Sequence, residues 1–115
     1  MRMWMIPANL LCKNHLLGEH NEIHKHKHNF EKKHSIKGRI YPKVIIEPNS
    51  MKKRHDELAK EMINRKYNHK SPYEMPNLLH LIALERYAKV DLKQSIKELC
   101  IRCEKCKKNI IENNI

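Results

Sequence analysis

Cys12, Leu16, Ile23 and Phe30 stand at helical spacing, and the polar residues between them keep the same period. A helix turns about 100° per residue, which brings His15, Glu19, Glu22 and His26 within roughly 60° of one another. These four form a strip beside the apolar seam, offset from it by roughly 80°. A chain built on such a segment, with only 2 glycines, has little material for a turn-rich β fold. The expected class is all-α, a compact single-domain helical bundle. The strip itself has two readings. It is either a solvated face of ordinary i,i+4 pairs or a site where two carboxylates and two imidazoles converge.

With 115 residues the chain suffices for one small domain, taken as residues 1–115. Its 24 Lys+Arg against 13 Asp+Glu give a formal net charge of +11, which speaks to partners rather than fold. A small domain this basic meets a polyanion by default, and nucleic acid is the commonest. The rival is a charged, solvated surface without a specific partner. One Trp, four Tyr and one Phe are too few rings for a sheet module that stacks bases. No run of about 18 apolar residues is present, and residues 1–7 lack the apolar core of a signal peptide. The expected compartment is therefore the reducing cytoplasm, in which Cys12, Cys100, Cys103 and Cys106 are thiols or metal ligands rather than disulfides.

In chain order, about residues 1–9 read as an extended arm, with Pro7 opening a first helix over about residues 8–35. Gly18 inside that helix costs about 1 kcal/mol relative to Ala and gives room for a close approach of backbone or ligand. About residues 37–48 read as a loop packed over the bundle, although Val44-Ile45-Ile46 has strand character. A second helix is expected from Asn49 or Ser50 to about Lys66, with Met51, His55, Leu58 and Met62 inward. Lys52, Lys53 and Arg54 crowd its start, where the helix dipole disfavours cations, so either phosphate or solvent compensates them. A short helix over about residues 77–88 and a last one over about residues 91–109 complete the bundle, with a frayed tail from Ile110.

Cys100, Cys103 and Cys106 spell C-x2-C-x2-C, which is not the pair of separated knuckles of a zinc ribbon. On a continuous helix Cys100 and Cys103 face inward and Cys106 lies near the frayed end. They read as structural thiols, the alternative being zinc held with Cys12 or a histidine. His20, His24 and His28 recur every fourth residue and read as a titratable basic flank, with pairwise metal binding as the alternative. No H-E-x-x-H, P-loop, G-x-S-x-G or dinucleotide motif occurs.

The chain start has chemistry of its own. Arg2 is large, so Met1 is expected to be retained and to carry the free α-amine. An α-amine has a reference pKa near 7.8 against about 10.4 for Lys, so at neutral pH it is several-hundred-fold richer in free base. An unprotonated amine can attack an electrophilic sugar carbon and form an imine. A nearby carboxylate would stabilise an oxocarbenium-like sugar and shuttle protons. Glu22 or Glu19 meets that need if the arm folds back on the first helix.

Two blocks resemble a known family. His15-Leu16, Glu19 and Glu22 follow an N-terminal residue with Arg next to it, and Lys53-Arg54-x-x-Glu57-Leu58-x-x-Glu61 continues to Arg65 and Asn68. Together they are similar to the pyrimidine dimer DNA glycosylases, the phage endonuclease V-like family. The resemblance spans most of about residues 1–70; beyond about residue 77 only helical character matches. It implies an all-α bundle with the N-terminal arm between helices, and a terminal amine that attacks C1′ of the damaged nucleoside. The glycosidic bond then breaks and β-elimination cuts the strand. By this resemblance Met1 and Glu22 are the catalytic residues, and Arg2, His15, Asn21, Lys25, Lys53 and Arg54 meet the DNA. Two departures stand out: Asn21 replaces a family arginine, and Lys25 replaces another. The implied partner is double-stranded DNA carrying a lesion or modified base, with no cofactor, no metal and no membrane, and the chain acting as a monomer in the cytoplasm of a bacterial or phage-infected cell. The rivals are a non-catalytic basic helical module for DNA or RNA, and a zinc-dependent nuclease or zinc-stabilised adaptor.

Overall fold

The computed structural model describes residues 2–69 and 72–113. Six α-helices and two single 3-10 turns occur among these residues, with no strand. The helices are α1 (Lys13–Glu31), α2 (Lys37–Ile40), α3 (Met51–Asn64), α4 (Ala83–Arg86), α5 (Leu92–Arg102) and α6 (Glu104–Glu112). The fold is all-α, as expected.

The seam of α1 is where its spacing puts it: Leu16, Ile23 and Phe30 are buried, facing Leu58 and Met62 of α3 across the main helix pair. Burying such side chains is worth roughly 1.5–3 kcal/mol each. The first helix is shorter than expected. Pro7 opens only a 3-10 turn, Ala8–Leu10, and the chain is extended at Leu11 and Cys12 before α1 begins. At the other end α1 closes at Glu31 through a left-handed Lys33 (φ 57°), whose N–H bonds Phe30 C=O while His34 N–H bonds Asn29 C=O. Lys66 (φ 66°) closes α3 in the same way onto Ile63 and Met62. Both are Schellman ends built without glycine.

The arm is structural. Met3, Trp4 and Ile6 are buried. Met3 N–H bonds Ile45 C=O at 2.7 Å, and Ser95 Oγ donates to Trp4 C=O at 2.6 Å. Arg65 donates to Leu11 C=O at 2.6 Å and Asn109 Nδ2 to Leu10 C=O at 3.1 Å. The arm thus lies between α3, α5, α6 and the connector, as the bundle reading expected. The Val44-Ile45-Ile46 segment is a loop, held through that bond to Met3 and through Ile45 N–H to Arg39 C=O. The same connector also carries the short helix α2.

The C-terminal third departs most from expectation. Over residues 77–88 only Ala83–Arg86 is helical; Leu78 and Leu81 are buried but Ile82 and Leu84 are exposed. The last helix is two helices, broken at Cys103, whose backbone is extended (φ −139°, ψ 110°). Neither Gly nor Pro lies at that break. The tail is not frayed from Ile110: α6 continues to Glu112 and Ile110 is buried, while Asn114 and Ile115 lie outside the described residues. Cys106 is accordingly in the interior, not at a loose end.

His20, His24 and His55 converge where α1 meets α3. His20 Nε2 lies 3.1 Å from His55 Nε2 and 2.9 Å from His69 Nε2. His28 does not join them; it is exposed and faces His34. Part of the expected basic flank is therefore core, and burial together with the His55, His24 and His69 charges lowers the His20 pKa to about 4.

Candidate active site

A cleft of about 190 Å³ opens between the arm and the first half of α1. Arg2 and Trp4 line it from the arm, Asn14, His15, Gly18, Glu19 and Glu22 from α1, and Arg102 from the end of α5. The helical period sets this face: Asn14, Gly18 and Glu22 are each four apart, and His15 and Glu19 flank them. Gly18 leaves open space, because a Cβ built there meets nothing within 4 Å. The expected close approach is thus toward the open cleft, not toward another backbone of this chain.

The two carboxylates of the strip have different surroundings. Glu19 is buried and receives Arg54 Nε at 2.5 Å and Arg54 Nη2 at 2.9 Å, a two-pronged pair. Glu22 is only partly buried. Its Oε1 lies 3.9 Å from Lys25 Nζ, while its Oε2 is shielded from solvent with no hydrogen-bond partner among the described residues. A neutralised carboxylate thus stands one turn from one with spare acceptor capacity.

The walls are cationic and aromatic. The Arg2 guanidinium lies 4.2 Å from the Trp4 ring centroid, and Arg102 lies 5.7 Å from it. Arg2 also reaches Glu98 at 2.6 Å, and Lys43 pairs with the same carboxylate. Hydrogen bonds from Lys43, and then from Arg2, hold the Glu98 pKa down at about 2. Arg2 Nε has no partner among the described residues. His15 meets Trp4 edge to face at 5.9 Å, and burial, then the Arg102 charge, lowers its pKa. His26, the last member of the strip, is fully buried and does not line the cleft.

The structure brings Arg2, His15, Glu19 and Glu22 to one cleft. Lys25 touches Glu22 from the exposed side, and Asn21 is exposed next to it. Lys53 is exposed on α3. Arg54 is not a surface cation: it is buried, and its guanidinium is committed to Glu19 and, at 3.3 Å, to Glu57. This pair also accounts for a cation near the α3 N-terminus, since Glu19 compensates it. Met1 lies outside the described residues. Trp4, Asn14 and Arg102 escaped the sequence reading. The period through Gly18 and Glu22 would have found Asn14, but nothing local marks the other two.

No curated protein and no solved structure matches the chain. The family model described as pyrimidine dimer DNA glycosylase matches residues 1–75, which hold the arm, α1, α3 and every cleft residue except Arg102. With 75 of 115 residues matched and the resembling blocks inside that span, the chain belongs to the pyrimidine dimer DNA glycosylase family.

Proposed function

We propose that the chain is a DNA glycosylase with associated strand-cleaving lyase activity, acting on pyrimidine dimers or related modified pyrimidines in duplex DNA. The observation that carries this reading is the Glu22 carboxylate, shielded yet with an oxygen that has no partner among the described residues, in a cleft that Arg2 also lines. Membership of the family supports a terminal amine, here that of Met1, as the nucleophile.

In the proposed reaction the neutral amine attacks C1′ of the damaged nucleotide. The C1′–N bond breaks, and the base leaves with the bonding pair and takes up a proton. The attacking nitrogen sheds a proton, the C1′–O4′ bond opens with O4′ taking that proton, and a protonated imine joins enzyme to sugar. Loss of a C2′ proton then expels the 3′ phosphate, and water releases the product. Glu22 stabilises positive charge as it develops on the sugar and then carries protons. Arg2 and His15 hold the strand at the cleft, and Asn21, Lys25 and Lys53 offer contacts from the exposed side. Arg54 acts differently: it fixes Glu19, and so the pitch of α1 against α3, behind the reacting groups. Asn21 in place of the family arginine points to an altered lesion preference.

Borohydride reduction during incubation with dimer-containing duplex tests this. A covalent protein–DNA adduct that disappears when residues are added before Met1, with DNA binding retained, supports the reading. Salt-sensitive binding without any adduct across a panel of damaged duplexes instead makes the chain a non-catalytic basic module.

A further inference from the structure

Cys12, His15, Cys103 and Cys106 place three sulfurs and one imidazole nitrogen within 4.8 Å of one another. Cys12 Sγ lies 3.1 Å from His15 Nδ1 and 3.7 Å from Cys103 Sγ, and Cys106 Sγ lies 3.7 Å from His15 Nδ1. Zinc with arms of about 2.3 Å to sulfur and about 2.0–2.1 Å to nitrogen makes a tetrahedron with S···S edges of about 3.8 Å and S···N edges of about 3.6 Å. The Cys12–Cys103 and Cys106–His15 separations fall within about 0.1 Å of those edges, and that of Cys12–His15 is about 0.5 Å shorter. They are far from the roughly 2.05 Å of a disulfide.

We propose that these four residues form a structural zinc site. The backbone supports it independently of the side-chain distances. The ligands come as C-x2-H and C-x2-C, and each pair starts at a helix N-cap, Cys12 for α1 and Cys103 for α6. The second member of each pair, His15 or Cys106, sits one turn in, so two helix starts present two ligands each to a common centre. Peptide N–H groups point at sulfur: Cys106 N–H to Cys103 Sγ at 3.4 Å and Cys12 N–H to Cys106 Sγ at 3.2 Å. Such bonds and the helix dipoles favour thiolates. The break between α5 and α6 falls on a ligand although neither Gly nor Pro is there.

On binding, three thiol protons pass to solvent and His15 coordinates as the neutral ring through Nδ1, leaving Nε2–H as its one donor. The site carries one net negative charge, offset by Lys13, Arg102, Lys105 and Lys107 beside the ligands in sequence. Cys103 and Cys106 lie beyond the family-matched residues, so the metal clasps the C-terminal helices to the start of α1. It also fixes His15, and with it one wall of the cleft. Cys100 takes no part. The metal closes all four positions with protein ligands and has no place for a reacting water.

The test uses the full chain purified under reducing conditions without chelator. Elemental analysis is expected to give about one zinc per chain, equally in Cys100→Ser. Replacement by cobalt(II) is expected to give thiolate-to-cobalt charge transfer and the visible bands of a tetrahedral site. Cys103→Ser is expected to lose those features, and a strong chelator to lower the melting temperature of the wild-type chain. If Cys103→Ser fails to fold, the wild-type stoichiometry and cobalt spectrum decide alone. A folded wild-type chain with no zinc and no cobalt spectrum overturns the proposal. So does an iron–sulfur chromophore, or a mass lower by two hydrogens showing a disulfide among these cysteines.

Discussion

Two glutamates one turn apart on α1 carry opposite duties because their partners differ. Glu19 is sealed against Arg54, and removing one member of a buried pair strands the other charge. Arg54→Met is therefore expected to destabilise the fold by roughly 3–5 kcal/mol in urea unfolding. Adding Glu19→Leu is expected to recover most of that loss, because the stranded carboxylate is gone. Glu22 Oε2 has no partner among the described residues, so Glu22→Gln is expected to fold normally and bind lesion DNA within a few-fold. Strand cleavage by that variant is expected to fall by about 100-fold or more, since proton shuttling needs the carboxylate. Comparing cleavage rates with binding isotherms checks both halves of this expectation.

At the scale of elements, the reading from residue types was good where a periodic face meets a buried partner and poor where tertiary contacts set the boundary. The seam of α1 and the inner face of α3 were legible because Leu16, Ile23, Phe30, Leu58 and Met62 recur at helical spacing. Of the cleft, Arg2, His15, Glu19 and Glu22 were legible from the strip and the resemblance. Trp4 was not, because nothing local marks it, and Arg102 was not, because it enters from the end of α5, far away in sequence. The helix ends were illegible for a local reason: Lys33 and Lys66 take the left-handed conformation that sequence rules assign to glycine. That backbone costs a side-chain-bearing residue roughly 1–2 kcal/mol. Lys66→Gly is thus expected to raise stability by about 0.5–1 kcal/mol, read as a higher melting temperature with unchanged helix content. Gly18 behaves oppositely. Gly18→Ala is expected to stabilise α1 by roughly 0.5–1 kcal/mol, as nothing in the chain obstructs the methyl group. The same methyl narrows the open cleft, so lesion cleavage is expected to fall while the melting temperature rises.

Over the whole molecule, histidine burial sets the acid limit of the fold. His20 and His26 both have pKa values lowered from 6.5 to about 4, chiefly by burial. The next causes are the neighbouring histidines for His20 and Arg39 for His26. A depressed pKa means that the unfolded chain takes the proton first. Stability is then full above about pH 6.5 and falls as pH drops through the window down to about 4, by up to roughly 3 kcal/mol for each group. Paired carboxylates act lower. Glu98, held at about 2, gives stability that is present above its ordinary value near 4.5 and lost as pH falls toward 2. Between pH 6.5 and 5 the histidines therefore dominate the slope. His26→Leu keeps an apolar side chain of similar size where neither ring nitrogen has a partner among the described residues. That variant is expected to match or exceed the wild type at pH 7.5 and to lose less stability on going to pH 5. Urea midpoints at those two pH values measure the difference, and an identical pH dependence for the two proteins rejects burial of His26 as its source.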